Sequence, residues 1–180
     1  MLPQPTIHGG KTRLAPLENR LTPAEFARVA ERIAIVSDHA AFEMKVQLVA
    51  YLGERGFEVL DLGTASTDSV DYPDYGYRIA RAISEGEVTR GVALCGSGIG
   101  ISIAVNRHPA CRCALVSEGL SARLAREHND ANVIAMGARI IGIETARDCL
   151  DQFLATPFAG GRHQRRIDKL SNPPITEQPA

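Results

Sequence analysis

The chain carries the sequence GVALCGSGIGI at residues 91–101, and this stretch decides the fold. Its first part is an uninterrupted apolar run, which is typical of a strand buried inside a parallel sheet. The run ends at Cys95, and three glycines then alternate with Ser97 and Ile99 before a helical pattern begins. A glycine loop at the start of a helix lets backbone N–H groups approach an anion closely. A thiol in that field is shifted towards thiolate, so Cys95 is a candidate for chemistry.

Strand and helix patterns alternate along the rest of the chain. Apolar runs of strand length occur five times, at 33–37, 57–61, 91–95, 112–116 and 132–136. Helical patterns follow them, at 41–54, 74–84, 99–106, 118–127 (with Ser117 as the cap) and 143–154, and a last short helix is expected in the basic tail. The alternation predicts an α/β fold, a three-layer α/β/α Rossmann-like domain with a five-stranded parallel sheet.

Ligands of such sheets bind beyond the carboxyl ends of the strands. Asp38 and His39 follow the first predicted strand, and Cys95 and Ser97 stand at the end of the third. The loop that is expected to carry His128 lies close by in the chain order. The sequence therefore predicts a site at this edge of the sheet.

Length and composition indicate one main domain. The 180 residues are 44% hydrophobic and 23% charged, which are ordinary values for a globular protein. Residues 1–31 are expected to form an N-terminal extension, a poorly ordered arm that ends in a short amphipathic helix over 24–32. The domain is predicted over 32–172, and 173–180 form a C-terminal tail.

Charge and cysteine content exclude several classes of function. A net charge of -1 gives no basic footprint for nucleic acid or an anionic membrane. No apolar run reaches the ~18 residues of a membrane span, and no signal peptide is recognisable, so a cytoplasmic protein is predicted. The four cysteines do not form a secreted disulfide framework, and no Cys/His cluster has metal-ligand spacing. We therefore expect no metal and no other cofactor.

Six short motifs follow one another along the chain. They are SDH at 37–39, DYP at 71–73, CGSGIG at 95–100, EHND at 127–130, GAR at 137–139 and GGRHQRR at 160–166. Together they resemble the type B ribose-5-phosphate isomerase family, which also contains galactose-6-phosphate isomerase subunits. The resemblance covers residues 32–170. It implies an aldose–ketose isomerase that interconverts ribose 5-phosphate and ribulose 5-phosphate through an enediolate.

The resemblance also implies roles for individual residues. Cys95 resembles the family's base, and Ile101 stands where one branch of the family has a glutamate base, which favours the thiol. Backbone N–H groups of the glycine loop would stabilise the enediolate, while Ser97 relays a proton between substrate oxygens. His128 resembles the residue that opens the sugar ring, since an imidazole exchanges protons near neutral pH. The substrate-binding residues implied are Asp38, His39, Tyr72, Gly96, Gly98, Ile99, Gly100, Asn129, Arg139, Arg162 and Arg166.

Four of these side chains, His39, Arg139, Arg162 and Arg166, resemble the family's phosphate ligands. A guanidinium binds phosphate through two parallel hydrogen bonds. Arg162 and Arg166 are expected on one face of a helix. The roles of His163 and Arg165 are left open, with a solvent-facing position as one alternative. In the family the site lies between two subunits, which implies a homodimer, with a tetramer left open, and a sugar phosphate as the only ligand.

Two other classes of function fit parts of the sequence. Gly96, Gly98 and Gly100 follow a strand, with Glu118 about twenty residues further on, as in a dinucleotide-binding domain. The third glycine comes one residue early, however, and the loop follows the third strand rather than the first. A non-enzymatic module that binds a nucleotide or a sugar is the other alternative, but it would have no need of Cys95. Within the isomerase hypothesis, allose, galactose and erythrose phosphates remain alternative substrates.

Overall fold

A computed structural model of the protein describes residues 31–172, in which strands and helices alternate as predicted. The strands are β1 (Arg32–Ser37), β2 (Glu58–Asp61), β3 (Arg90–Cys95), β4 (Cys113–Leu115) and β5 (Val133–Gly137). The helices are α1 (Phe42–Glu54), α2 (Tyr72–Ser84), α3 (Ile99–Val105), α4 (Gly119–Asn129), α5 (Ile143–Ala155) and α6 (Gln164–Ser171). Short 3₁₀ turns, His39–Ala41 and Gly161–His163, lead into α1 and α6.

The five strands form one parallel sheet in the order β2-β1-β3-β5-β4, so the predicted fold class is confirmed. In the register of the sheet, Ser37 of β1 stands beside Leu94 of β3, and Cys95 stands beside Gly137 of β5. Strand order reverses between β1 and β3, because the chain first adds β2 on one side and later strands on the other. This reversal is where a ligand-binding crevice is expected in such a sheet.

Helices cover both faces of the sheet. Ile33 and Ile35 of β1 pack on one side with α1, α4 and α5. Ala34 and Val36 point to the other side, where α2 and α3 cover them. All four side chains are fully buried, as expected for a central strand with helices on both faces. The two cores hold the carboxyl ends of β1, β3 and β5 in fixed positions.

Helix α4 begins one residue later and ends two residues later than predicted. Its cap is Glu118, not Ser117, because the Glu118 carboxylate accepts hydrogen bonds from the backbone N–H groups of Leu120 and Ser121, both at 2.6 Å. A carboxylate at a helix N-terminus also interacts favourably with the helix dipole. Hydrogen bonds from Ser121 hold the pKa of Glu118 below its usual value. The predicted loop position of His128 is wrong, since it lies in the last turn of α4.

The chain enters the domain at Glu31, whose carboxylate pairs with the Arg90 guanidinium at the start of β3. Strand β1 begins at Arg32, so the helix predicted over 24–32 does not reach its predicted end. The rest of that helix and the N-terminal arm lie outside the described residues. Of the helices that the structure describes, none is both long and apolar enough to cross a membrane.

Candidate active site

The carboxyl ends of β1, β3 and β5 surround a cleft of about 320 Å³. It lies at the reversal of strand order, as the fold predicts. Residues from the three strand ends, the start of α2 and the loop before α3 line it. They are Asp38, His39, Ala40, Tyr72, Cys95, Gly96, Ser97, Gly100, Arg139 and Ile140. Eight of these ten residues are predicted site residues, so the cleft lies where the sequence predicts a site.

Cys95 lies at the floor of the cleft and is 4% exposed. Its sulfur accepts a hydrogen bond from the backbone N–H of Gly98 at 3.0 Å. Gly98 has φ +76°, and this left-handed conformation turns the loop back towards the strand that it has just left. This hydrogen bond fixes the position of the sulfur at the floor of the cleft.

The glycine loop packs against the backbone of β5 so closely that side chains do not fit. A Cβ on Gly98 would lie 2.6 Å from Leu115 Cδ1 and 2.8 Å from the carbonyl carbon of Met136. A Cβ on Gly137 would lie 2.5 Å from the carbonyl carbon of Ser97. The Ser97 hydroxyl oxygen accepts from the N–H of Ile99 at 3.3 Å, so its hydrogen is free to donate into the cleft.

Asp38 and His39 form the wall of the cleft on the β1 side. Asp38 is buried, and its Oδ1 accepts from the N–H groups of Ala40 at 3.0 Å and Ala41 at 3.2 Å. These bonds cap the 3₁₀ turn and fix the carboxylate. The N–H of Val70 lies 3.2 Å from Nδ1 of His39 and donates to it when that nitrogen is unprotonated, which leaves Nε2 for a ligand.

Tyr72 and Arg139 complete the cleft. Tyr72 begins α2, and its ring covers the backbone of Gly100, where a Cβ would lie 2.6 Å from ring carbons. The Arg139 N–H donates to the Gly96 carbonyl at 2.9 Å, and its guanidinium lies over Gly96, 3.3–3.4 Å from where a Cβ would stand. The predicted phosphate ligand Arg139 therefore lies beside Cys95.

Of the other predicted residues, Gly98 and Ile99 belong to the loop at the cleft, whereas His128, Asn129, Arg162 and Arg166 lie at the opposite edge of the sheet. Helix α4 starts beyond the carboxyl end of β4 and runs back over 11 residues, a length of about 16 Å. The carbonyl of Asn129 accepts from Nε of Arg112 at 3.1 Å, and the N–H of Gly91 donates to the carbonyl of Asn132 at 2.9 Å. Both contacts are made at the starts of β4 and β3. His128 and Cys95 therefore lie far apart within one chain.

Five residues at this edge make up what we call the His128 group: His128, Asn129, Arg162, His163 and Arg166. The imidazole rings of His128 and His163 are stacked, with centroids 4.4 Å apart and an angle of 5° between their planes. His163 is only 8% exposed, so the solvent-facing alternative is wrong for it. Arg162 belongs to the second 3₁₀ turn and Arg166 to α6, so the single helix face expected for them is interrupted, although both side chains are exposed.

The remaining cysteines are poor candidates for chemistry. Burial raises the pKa of Cys111 and of Cys149 to about 11, and desolvation also raises the pKa of Cys113. Thiols of this kind stay protonated and unreactive near neutral pH. Within residues 31–172, no three His, Cys, Asp or Glu side chains are grouped so as to hold a metal ion.

Comparison with known proteins assigns the chain to a family. The model of the family described as Ribose/Galactose Isomerase matches residues 33–170. This protein belongs to that family. A curated relative, ribose-5-phosphate isomerase B of Escherichia coli (strain K12), is 45% identical over 141 residues, which are 78% of this chain and 95% of the relative.

Solved structures of family members have the same fold. A ribose 5-phosphate isomerase from Thermotoga maritima is 50% identical, with a TM-score of 0.78 over 79% of this chain and 98% of that one. Ribose-5-phosphate isomerase B from Clostridium thermocellum is 45% identical, with a TM-score of 0.77 over 78% of this chain and 95% of that one. Membership of the ribose/galactose isomerase family makes the chain an isomerase. It argues against the dinucleotide-binding domain and against the non-enzymatic module.

Proposed function

We propose that this isomerase interconverts ribose 5-phosphate and ribulose 5-phosphate, with Cys95 as the base. The observation that carries the proposal is the Cys95 thiol at the floor of the cleft, with a backbone N–H 3.0 Å from its sulfur. Two relatives with 45% and 50% identity are named for ribose 5-phosphate isomerisation, which supports this choice of substrate.

The reaction moves two protons. Cys95 as thiolate takes the proton from C2 of the open-chain aldose and returns it to C1, while the proton on O2 passes to O1. The intermediate is an enediolate, whose negative charge needs preorganised donors. Those donors are the N–H groups of the loop from Gly96 to Gly100 other than those of Gly98 and Ile99, which donate to Cys95 and Ser97. The hydroxyl of Ser97 carries the proton from one oxygen to the other. Asp38 and Tyr72 contact the sugar hydroxyls.

Ring opening requires a proton donor and acceptor, and the imidazole of the cleft itself, His39, is assigned to the phosphate. The strongest candidate for ring opening, His128, lies at the other edge of the sheet, and the six residues of β3 alone separate these edges by about 16 Å. We propose a homodimer in which each site combines the cleft of one protomer with the His128 group of its partner. A two-fold axis brings unlike ends of two identical chains together and makes two equivalent sites.

Exposed apolar side chains next to the cleft support a second copy as the partner. Ile99 and Ile103 are each about half exposed, and they share one side of α3 because they are four residues apart. Leu115 of the edge strand β4 is also about half exposed. A contiguous apolar surface of this kind is typical of an interface between proteins.

In the proposed dimer, four basic side chains bind the phosphate. His39 and Arg139 stand in the cleft, and Arg162 and Arg166 of the partner subunit approach from the other side, with Asn129 of the partner close to the sugar hydroxyls. Guanidinium groups bind phosphate oxygens with paired hydrogen bonds, so they fix the position of the sugar as well as its charge.

The proposal is tested by assaying purified protein with a panel of aldose phosphates for ketose formation. We expect ribose 5-phosphate to be the best substrate. If allose, galactose or erythrose phosphate is converted faster, the proposed substrate is wrong, but the aldose–ketose isomerisation stands.

The same assay tests Cys95. We expect Cys95→Ala to lower turnover by ~10²–10⁴, the usual contribution of a general base, while substrate still binds. Cys149→Ala is the matched control, because its thiol is buried in α5 away from the cleft and its loss should leave turnover unchanged. Near-normal turnover of Cys95→Ala would rule out the thiol as base.

A further inference from the structure

His163 is the residue of the His128 group to which the proposed reaction gives no role. It ends the second 3₁₀ turn, and the segment before it is tied to α4 by a hydrogen bond of 3.0 Å from the Ala159 N–H to the Glu127 carbonyl. This tie places the His163 ring against that of His128, nearly parallel and 4.4 Å away. His163 is buried, whereas more than a third of the His128 side chain is exposed. The His163 ring is therefore held inside the protein, whereas a ligand can reach the ring of His128.

The surroundings of His163 keep its ring neutral. Burial lowers the pKa of His163, and the nearby His128, Arg162 and Arg166 lower it further, against a smaller opposing effect of Glu127. Nε of Arg162 lies 3.5 Å from Nε2 of His163. A guanidinium can only donate, so Nε2 offers its lone pair and the ring proton is on Nδ1.

A neutral ring beneath His128 matters for proton transfer. His128 must alternate between neutral imidazole and imidazolium while it opens the sugar ring. If His163 also carried a charge, two imidazolium rings 4.4 Å apart would repel each other. A neutral flat ring instead supports one face of His128 in both protonation states, and it leaves both ring nitrogens at the edge for the substrate.

We propose that His163 is a positioning residue that holds the His128 ring in the orientation needed to open the furanose form of the substrate. The proposal rests on the proposed function, because it assigns the ring-opening step to His128. An exposed histidine has two rotatable side-chain bonds, and a stacked partner restricts both. Misplacing a reacting group by about 1 Å costs on the order of 10²-fold in rate, so this restriction has a measurable effect.

The test compares a substrate that needs ring opening with one that does not. Ribose 5-phosphate is mainly a furanose, closed by O4 on C1. Ribulose 5-phosphate stays open, because phosphate blocks O5, the oxygen that would close its five-membered ring. Initial rates are measured from both sides for wild type, His163→Leu, which removes the flat ring, and His163→Phe, which keeps it. His108→Leu, a change to a histidine outside both the cleft and the His128 group, is the control.

We expect His163→Leu to lower kcat, measured at saturating substrate, about 10- to 100-fold for ribose 5-phosphate and less than about 2-fold for ribulose 5-phosphate. The KM for ribose 5-phosphate should fall together with its kcat, because the equilibrium constant fixes the ratio of kcat/KM in the two directions. His163→Phe should keep both rates within about 3-fold of wild type, and His108→Leu should change neither. Equal losses on both substrates, or no loss in His163→Leu, would overturn the proposal. If His163→Leu does not fold, His163→Phe decides: a selective loss on ribose 5-phosphate would show that stacking alone does not position His128. Wild type without activity on either sugar would refute the proposed function instead.

Discussion

Gly98 is the residue that shapes the loop around Cys95. Its positive φ and the close approach of Leu115 and Met136 both require the absence of a side chain. A left-handed conformation costs a non-glycine residue roughly 1–2 kcal/mol before any contact is counted. The backbone of β5 is one of the neighbours, and it cannot move aside as a flexible side chain would.

We therefore expect Gly98→Ala to destabilise the protein by at least ~2 kcal/mol and to lower turnover, because the N–H that faces the Cys95 sulfur is displaced. Gly53→Ala is the matched control. Gly53 lies within α1 with no atom within 4 Å of a new Cβ, so this change should stabilise the protein by up to ~1 kcal/mol. Urea unfolding of both variants measures the difference, and equal stabilities would contradict the loop geometry.

A second prediction at the residue scale concerns His163 and the pH dependence of folding stability. The pKa of His163 in the folded protein lies below its ordinary value of 6.5, so the unfolded chain binds a proton there more readily than the folded one. Stability therefore rises with pH through this window and is lost as pH falls. The groups that act on the ring are His128, Glu127, Arg162 and Arg166.

The free energy of unfolding should fall less between about pH 7.5 and about pH 5.5 in His163→Phe than in wild type, because phenylalanine does not titrate. Urea titrations at the two pH values measure this, and the histidines that do not contact His163 contribute equally to both proteins. If the free energy of unfolding falls equally in both proteins between the two pH values, His163 titrates in the folded protein as it does in the unfolded chain, and the prediction is wrong.

At the scale of elements, α4 determines where His128 lies. The alternating sequence pattern predicted the strands and helices of the described chain, because the spacing of apolar residues differs strongly between buried strands and amphipathic helices. The alternation of the two also predicted the parallel sheet. The end of α4 was predicted two residues early, because the helix continues to Asn129 and ends only where Asp130 takes a left-handed conformation. That small shift moved His128 from a loop into a helix whose last turn lies at the far edge of the sheet.

A prediction about phosphate binding concerns α6, the last helix of the described chain. Arg166 and its neighbour Arg165 are both exposed residues of α6, but only Arg166 is assigned to phosphate. We expect Arg166→Ala to raise KM for ribose 5-phosphate by at least ~10-fold, because a hydrogen bond to a charged group contributes about 1.5–3 kcal/mol. Turnover should change less, since phosphate is held similarly in the ground and transition states.

Arg165→Ala is the control for that measurement, and its KM should stay within about 2-fold of wild type. Steady-state kinetics on both variants decide the assignment. Equal effects of the two substitutions would mean that the general positive charge of α6 attracts the substrate and that Arg166 has no specific role.

At the scale of the whole molecule, the site residues fall into two groups at opposite edges of one sheet. The cleft was predictable from the sequence, because parallel strands bring their carboxyl ends to the same edge. The separation of the His128 group was not predicted, and neither was the His128–His163 stack. Both depend on where α4 and the second 3₁₀ turn end in space, which the apolar pattern of a single sequence does not specify.

The shared site is the central claim, and mixing two inactive variants tests it most directly. Cys95→Ala removes the base from the cleft, and His128→Asn removes the ring-opening residue from the His128 group. In a mixed dimer, one site carries both substitutions and the other carries neither. Subunits of the two purified variants are exchanged in equal amounts, and activity on ribose 5-phosphate is compared with that of each variant alone.

A site formed by two protomers predicts recovery of about a quarter of wild-type activity, because half of the dimers are mixed and each mixed dimer has one intact site of two. If subunits exchange and the mixture is no more active than the average of the two variants, each site lies within one chain and the account is wrong.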